Sequence, residues 1–276
     1  MIWKAPLMAA LLFARAAVPA APDGDVRLPV IMYHSISESP AGEFCVSPGD
    51  FERDLIYLRD NGYTAVFASE AAAYVSGAPG ARMPARPVML TFDDGYYNNY
   101  VYALPLLKQY GMKAVLSVIG RDSDIWSAIP SKSLRDGHAT WEEIAEMHAS
   151  GHIEIANHTY GLHSHGRRRG CMRVSGENER AYQSLLKEDV GRLQDKLYQT
   201  TGVRPVCFAY PYGRVSPEAA RPLSELGLSV TLGVGEKVNV IARADPECLL
   251  NMGRYNRSAA RSAKRILELP GRAAAP

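Results

Sequence analysis

Val88-Met89-Leu90-Thr91-Phe92-Asp93-Asp94-Gly95 is the stretch on which the reading of this chain turns: an apolar run that ends in two adjacent carboxylates and a glycine. Unbroken hydrophobicity over so short a run reads as a strand covered on both faces, as in a parallel sheet. Nothing in folding calls for neighbouring acids at a strand end, where like charges repel and raise each other's pKa. Successive strand side chains point to opposite sides, but where the strand breaks into a loop both acids can reach one pocket. A cation there would relieve the repulsion, with one carboxylate bound to it and the other left free as a base. The competing reading is a pair of N-cap acids before a helix over 98–110.

Similar runs recur on both sides of this one, at 30–33, 63–67, 113–119, 152–156, 205–210, 228–232 and 249–252. Helical stretches with start and stop signals separate them. Ser47-Pro48-Gly49-Asp50 offers an N-cap with proline in the first turn. Thr140-Trp141-Glu142-Glu143 carries the reciprocal capping pattern of a helix that stops at Gly151. Leu185, Leu186, Val190, Leu193 and Leu197 repeat at helical spacing over 178–200, with Gly202 as the stop. Residues 71–86 and 121–138 read as loops. About seven to eight strand–helix repeats predict an α/β fold, a distorted or incomplete (β/α) barrel of parallel strands.

The chain of 276 residues holds 31 basic and 29 acidic side chains, a formal charge of +2, and 47% hydrophobic residues. That balance supports a sizeable core and gives no electrostatic case for nucleic acid or another strongly anionic partner. Residues 1–22 differ from the rest: Lys4, an apolar run from Ala5 to Ala14, then Val18-Pro19-Ala20 as a cleavage site. This is the outline of a secretory signal, or of an N-terminal anchor if it is not cleaved. The expected organisation is therefore that segment, one domain over 23–270 and a tail at 271–276, secreted or held at the cell envelope. Cys45, Cys171, Cys207 and Cys248 lie far apart with no C-x-x-C pair, which argues against a structural zinc cluster. Cys207 reads as a buried small hydrophobe, and a disulfide outside the cell is left open.

Three further strand ends carry chemistry. Ile153-Glu154-Ile155-Ala156-Asn157-His158 runs on to His163 and His165. Two histidines and one carboxylate leave coordination positions open on a divalent metal, as a catalytic site needs. A spacing of five across Gly161 suits a turning loop better than a helix face. His165 is placed beside the site; His138, His148 and His152 are read as structural. Cys207-Phe208-Ala209-Tyr210-Pro211-Tyr212-Gly213 offers Tyr210 and Pro211 as a wall for a sugar ring, and the Tyr212 N–H as an oxyanion donor. Val30-Ile31-Met32-Tyr33-His34 puts His34 just past the first strand. Delivery of acids, histidines and aromatics by four strand ends points to one pocket, on the face where β/α barrels build their sites.

Thr91-Phe92-Asp93-Asp94-Gly95, His158-Thr159 with His163, and Tyr210-Pro211-Tyr212-Gly213 resemble the three motifs of polysaccharide deacetylases with the NodB-homology domain, carbohydrate esterase family four. The resemblance covers roughly residues 28 to 260. It implies Asp93 as general base, Asp94, His158 and His163 as ligands of one divalent metal (zinc first, then cobalt, nickel or iron), and the Tyr212 N–H on the oxyanion. The five-residue histidine spacing, His34 near the N-terminus and the lack of a late L-x-H motif resemble the subgroup of poly-N-acetylglucosamine deacetylases, which implies His34 as the acid. Ala209 stands where many members have arginine, and Arg254 is the candidate to orient Asp93 in its place.

The expected activity is metal-dependent removal of N-acetyl groups from a polymer of N-acetylglucosamine-type sugars, releasing acetate; no protein partner is implied. An O-acetyl esterase would use the same site. A carbohydrate-binding homologue would need no spare base beside a metal. A two-carboxylate glycosidase would need a second, separated acid, and none stands out.

Overall fold

The apolar runs become parallel strands in a computed structural model that describes residues 24–269. The signal-like segment 1–22 and the tail 271–276 lie outside the described residues. The strands of the main sheet are β1 (Val30–Tyr33), β2 (Thr64–Ala65), β3 (Pro87–Phe92), β4 (Ala114–Val118), β5 (Ile153–Asn157), β6 (Cys207–Ala209), β7 (Val230–Leu232) and β8 (Tyr255–Asn256). They pair in the order β7-β6-β5-β4-β3-β1-β8, with β2 beside the start of β3, and every pairing is parallel. A single bridge from Leu232 to Met252 ties β7 to the segment before β8 without pairing the two strands. The fold is the distorted, incomplete (β/α) barrel that the strand ends predict.

The helices are α1 (Pro48–Asp60), α2 (Ala68–Val75), α3 (Leu104–Tyr110), α4 (Gly120–Ala128), α5 (Trp141–Ala149), α6 (Glu179–Thr201), α7 (Ala220–Glu225) and α8 (Ala263–Leu267). Ser47 Oγ accepts from the Asp50 N–H at 3.0 Å and caps α1. Thr140 and Glu143 cap each other's backbone at the start of α5. Gly202 ends α6 in the left-handed conformation.

Several boundaries are corrected. The run 249–252 is not the last strand: Leu249 ends a 3₁₀ turn, and the pairing with β1 is made by Tyr255 and Asn256. Leu249 and Met252 are buried and Leu250 is exposed, as suits a turn that touches the core rather than a strand covered on both faces. Residues 71–86 are not all loop, because α2 occupies their first part; its alanines favour helix yet are too small to print a strong apolar period. Residues 121–138 contain most of α4, which has no side-chain cap to announce it. The helix expected over 98–110 starts with a wide π turn, Asn99–Ala103, immediately before Pro105, whose nitrogen has no proton for a regular helical bond.

Alternation along the strands separates two cores. Ile31, Tyr33, Leu90, Phe92, Leu116, Ile153 and Ile155 face outward onto α1, α3, α5 and α6. Val30, Met89, Val115, Ala156, Cys207, Ala209, Val230 and Met252 meet inside the barrel. Cys207 is therefore a buried hydrophobe, and all four cysteines are free thiols.

Glu154 shares the inward register of Ala156, and its carboxylate accepts from Ser69 N and Oγ in the first turn of α2. Burial raises its pKa to about 7 although those hydrogen bonds pull it down. A raised folded pKa means that the stability from the neutral acid is complete below the unfolded value and is lost as pH rises through about 7. Glu154→Gln stays neutral, so it is expected to gain melting temperature relative to the unaltered protein between about pH 5 and about pH 8. An equal difference at both pH values would contradict this account.

Candidate active site and cation-binding cluster

The inward registers continue past the strand ends, and this continuation builds half the site. Val30 and Met32 lead to His34, Met89 and Thr91 to Asp93, Glu154 and Ala156 to His158, and Met252 to Arg254. Asp93, His158 and Arg254 are almost wholly buried at the top of the barrel. His34 Nε2 lies 4.0 Å from Asp93 Oδ2, and its ring touches the exposed Phe44 ring at 4.7 Å between centroids.

The other half is delivered by backbone that strand geometry does not allow. Asp94 has φ 72° and Gly95 φ 70°, so the chain turns left-handed directly after Asp93. A side chain at Gly95 would also press on Val118, with its Cβ 3.0 Å from Cγ1. This turn sends the two carboxylates in different directions. Asp93 accepts a two-pronged hydrogen bond from Arg254, Nη1 to Oδ1 and Nη2 to Oδ2, both at 2.7 Å. Asp94 Oδ1 instead lies 3.5 Å from His158 Nε2 and 3.2 Å from His163 Nε2. The loop carrying His163 is pinned by Asp189 of α6, whose carboxylate accepts from Tyr160 N and Gly161 N, each at 2.8 Å.

The electrostatics follow from these contacts. Burial works to raise the Asp93 pKa, but the Arg254 guanidinium outweighs it and holds the acid at about 2. Asp94 is also buried, and its hydrogen bonds with His158 and His163 keep it well below the usual carboxylate range. Burial lowers the His34 pKa, with Asp93 and Asp94 pulling the other way.

Asp94, His158 and His163 could hold a metal ion: one donor atom from each falls within 4.8 Å of the others. Two donors each about 2.1 Å from a tetrahedral zinc stand about 3.4 Å apart, close to both histidine–Asp94 distances. The tautomers agree as well. His158 Nδ1–H donates to the Ala209 carbonyl at 2.7 Å, so Nε2 is the ring nitrogen turned to Asp94 and the one that would offer its lone pair to a metal in place of a proton. His163 Nδ1 is held by the Tyr212 hydroxyl at 3.0 Å. Such outer partners fix ring orientation at metal-binding histidines.

The third strand end differs from the sequence expectation. Tyr210 and Pro211 are buried, and Tyr210 packs edge-on against Phe208 in a cluster with α6 and α7. The pleat explains it: Ala209 faces the barrel, so Tyr210 faces out, and neither residue forms an open sugar wall. Tyr212, left-handed at φ 57°, comes back over the site and contacts the rings of His163 and the exposed His165. Sequence reading missed Asp189, since an acid within a solvated helix looks ordinary.

A sequence profile of the family described as polysaccharide deacetylase matches residues 80–231. YxkH of Bacillus subtilis, named as a polysaccharide deacetylase, is 31% identical over 201 residues, covering 73% of this chain and 62% of that protein. The poly-beta-1,6-N-acetyl-D-glucosamine N-deacetylase of Escherichia coli K12 is 26% identical over 223 residues, 71% of this chain and 32% of that protein. The chain thus spans less than two thirds of the length of either relative. Among solved structures, IcaB from Ammonifex degensii superposes with a TM-score of 0.70 at 28% identity, covering 90% of this chain and 97% of that one.

Proposed function

Because this chain belongs to the polysaccharide deacetylase family, we propose that it hydrolyses N-acetyl groups on a polymer of N-acetylglucosamine-type sugars, releasing acetate and leaving free amines. One observation carries the reading beyond the family: an ionised carboxylate, Asp93, is tied by Arg254 away from the Asp94–His158–His163 cluster yet remains beside it. A binding protein has no use for such a spare base.

In this reading Asp94, His158 and His163 would hold a divalent cation, zinc in first place. A cation held there would supply the acidity that lets a base as weak as Asp93 take a proton from water, and positive charge for the acetyl oxygen. Asp93 accepts that proton as the water attacks the acetyl carbon. Arg254 keeps both Asp93 oxygens oriented. The Tyr212 N–H adds a hydrogen bond to the developing oxyanion. His34, 4.0 Å from Asp93, passes a proton to the leaving nitrogen, which departs poorly as an anion. The signal-like residues 1–22 support action at or outside the cell envelope.

The decisive experiment is acetate release from poly-N-acetylglucosamine, chitin oligomers, peptidoglycan and O-acetylated xylan, with and without chelator. Release from an N-acetylated polymer, abolished by chelator and restored by zinc, is the expected result. Release from the O-acetylated polymer alone would replace the proposal with an esterase. His158→Ala is expected to lose metal on dialysis, with affinity falling by more than the ~10–100-fold that loss of an outer partner costs. Full metal content in that variant would remove His158 from the ligand set.

A further inference from the structure

We propose that His138 is a positioning residue of the cation-binding cluster: its Nδ1–H, donated to the Asp94 carbonyl, holds the left-handed turn that aims the Asp94 carboxylate at His158 and His163. The inference rests on the reading of that cluster as a cation site.

Left-handed backbone is unfavourable for most residues with a side chain and only tolerated by Asp, so a bond to its carbonyl adds to the hold on Asp94 at φ 72°. His138 Nδ1 lies 2.8 Å from the Asp94 backbone oxygen. A carbonyl only accepts, so the proton is on Nδ1, and Nε2 is turned toward Asp122 Oδ2 at 3.8 Å. The ring is stacked on Tyr96, 5.0 Å between centroids at 27°, and its side chain is 14% exposed.

The backbone delivers it there. Tyr96 and His138 form an antiparallel bridge, flanked by Tyr97 N to Gly137 O at 2.7 Å and Ala139 N to Gly95 O at 2.8 Å. Gly137 is required for this path, because a Cβ there would lie 2.4 Å from Ser133 O. The segment before α5 is thus clamped along residues 95–97, and His138 supplies the bond to Asp94 itself. Without it the turn can relax and swing the carboxylate away, while every ligand stays in the chain.

The test separates donor from ring. His138→Phe keeps a ring against Tyr96 but has no donor; His138→Asn can place an amide N–H near the Nδ1 position and has no ring. Zinc affinity is read by competition with a chromophoric chelator, and the melting of the metal-free proteins is recorded alongside. His138→Ala and His138→Phe are expected to bind zinc ~10–100-fold more weakly, His138→Asn near the unaltered affinity, and the metal-free melting of the variants not to follow this order. Unaltered affinity in His138→Phe, or His138→Asn as weak as His138→Ala, would overturn the proposal. If the alanine variant does not fold, the Phe and Asn pair carries the comparison. Zinc binding that His158→Ala leaves intact would instead overturn the cation-site reading, and the proposal with it.

Discussion

Replacing Asp93 with Asn is expected to lower kcat by about 10²–10⁴-fold, the usual contribution of a general base, while the cation remains bound. Asp93 touches Arg254 and approaches His34, but it is not in the Asp94–His158–His163 cluster. An amide there can accept from only one Arg254 nitrogen and leaves the buried guanidinium without its counter-charge, so the folding of the variant is checked by its unfolding transition; it cannot take a proton from water. KM should move little, since the lost interaction belongs to the transition state. Steady-state kinetics with metal content measured on the same preparation checks this. Near-normal turnover, or loss of the metal along with activity, would refute the division of labour between the two acids.

The second large effect concerns stability. Arg257 and Asp54 form an ion pair in which both side chains are only 2% exposed. Asp54 also accepts from the Tyr33 hydroxyl at 3.0 Å and the Ala263 N–H at 2.9 Å, so it joins α1, β1 and the start of α8. Removing one partner strands a buried charge, so Arg257→Met is expected to cost about 3–5 kcal/mol. Burial already lifts the Asp54 pKa in spite of Arg257, and neutralising the acid as well, in Arg257→Met with Asp54→Asn, should recover part of the loss. Denaturant unfolding of the single and double variants measures both. A single-variant loss below about 1 kcal/mol, the level of an exposed pair, would show that the buried pair is not a clamp.

The legible part of this protein followed from period two. Apolar runs mark the strands, and the residue that continues an inward register past a strand end must face the barrel mouth. That rule reaches Asp93, His158 and His34, and it also shows why Tyr210 turns outward behind Ala209. The illegible part has a different physical origin. Leu249 and Met252 are apolar because each is buried, and burial alone does not distinguish a strand from a turn that touches the core. His138 and Asp189 act through backbone atoms of distant segments, and such contacts leave no mark on nearby sequence.

The sequence by itself determined the parallel barrel and which acids and histidines follow its strand ends, because strand pleating is local and repeats. Only the tertiary structure decided how Asp93 and Asp94 part company. Their separation depends on a left-handed turn at Asp94, on Arg254 arriving from the far end of the chain to hold Asp93, and on His138 reaching the Asp94 carbonyl. Those are long-range contacts that stabilise an unfavourable local conformation, and local propensity cannot specify what it disfavours.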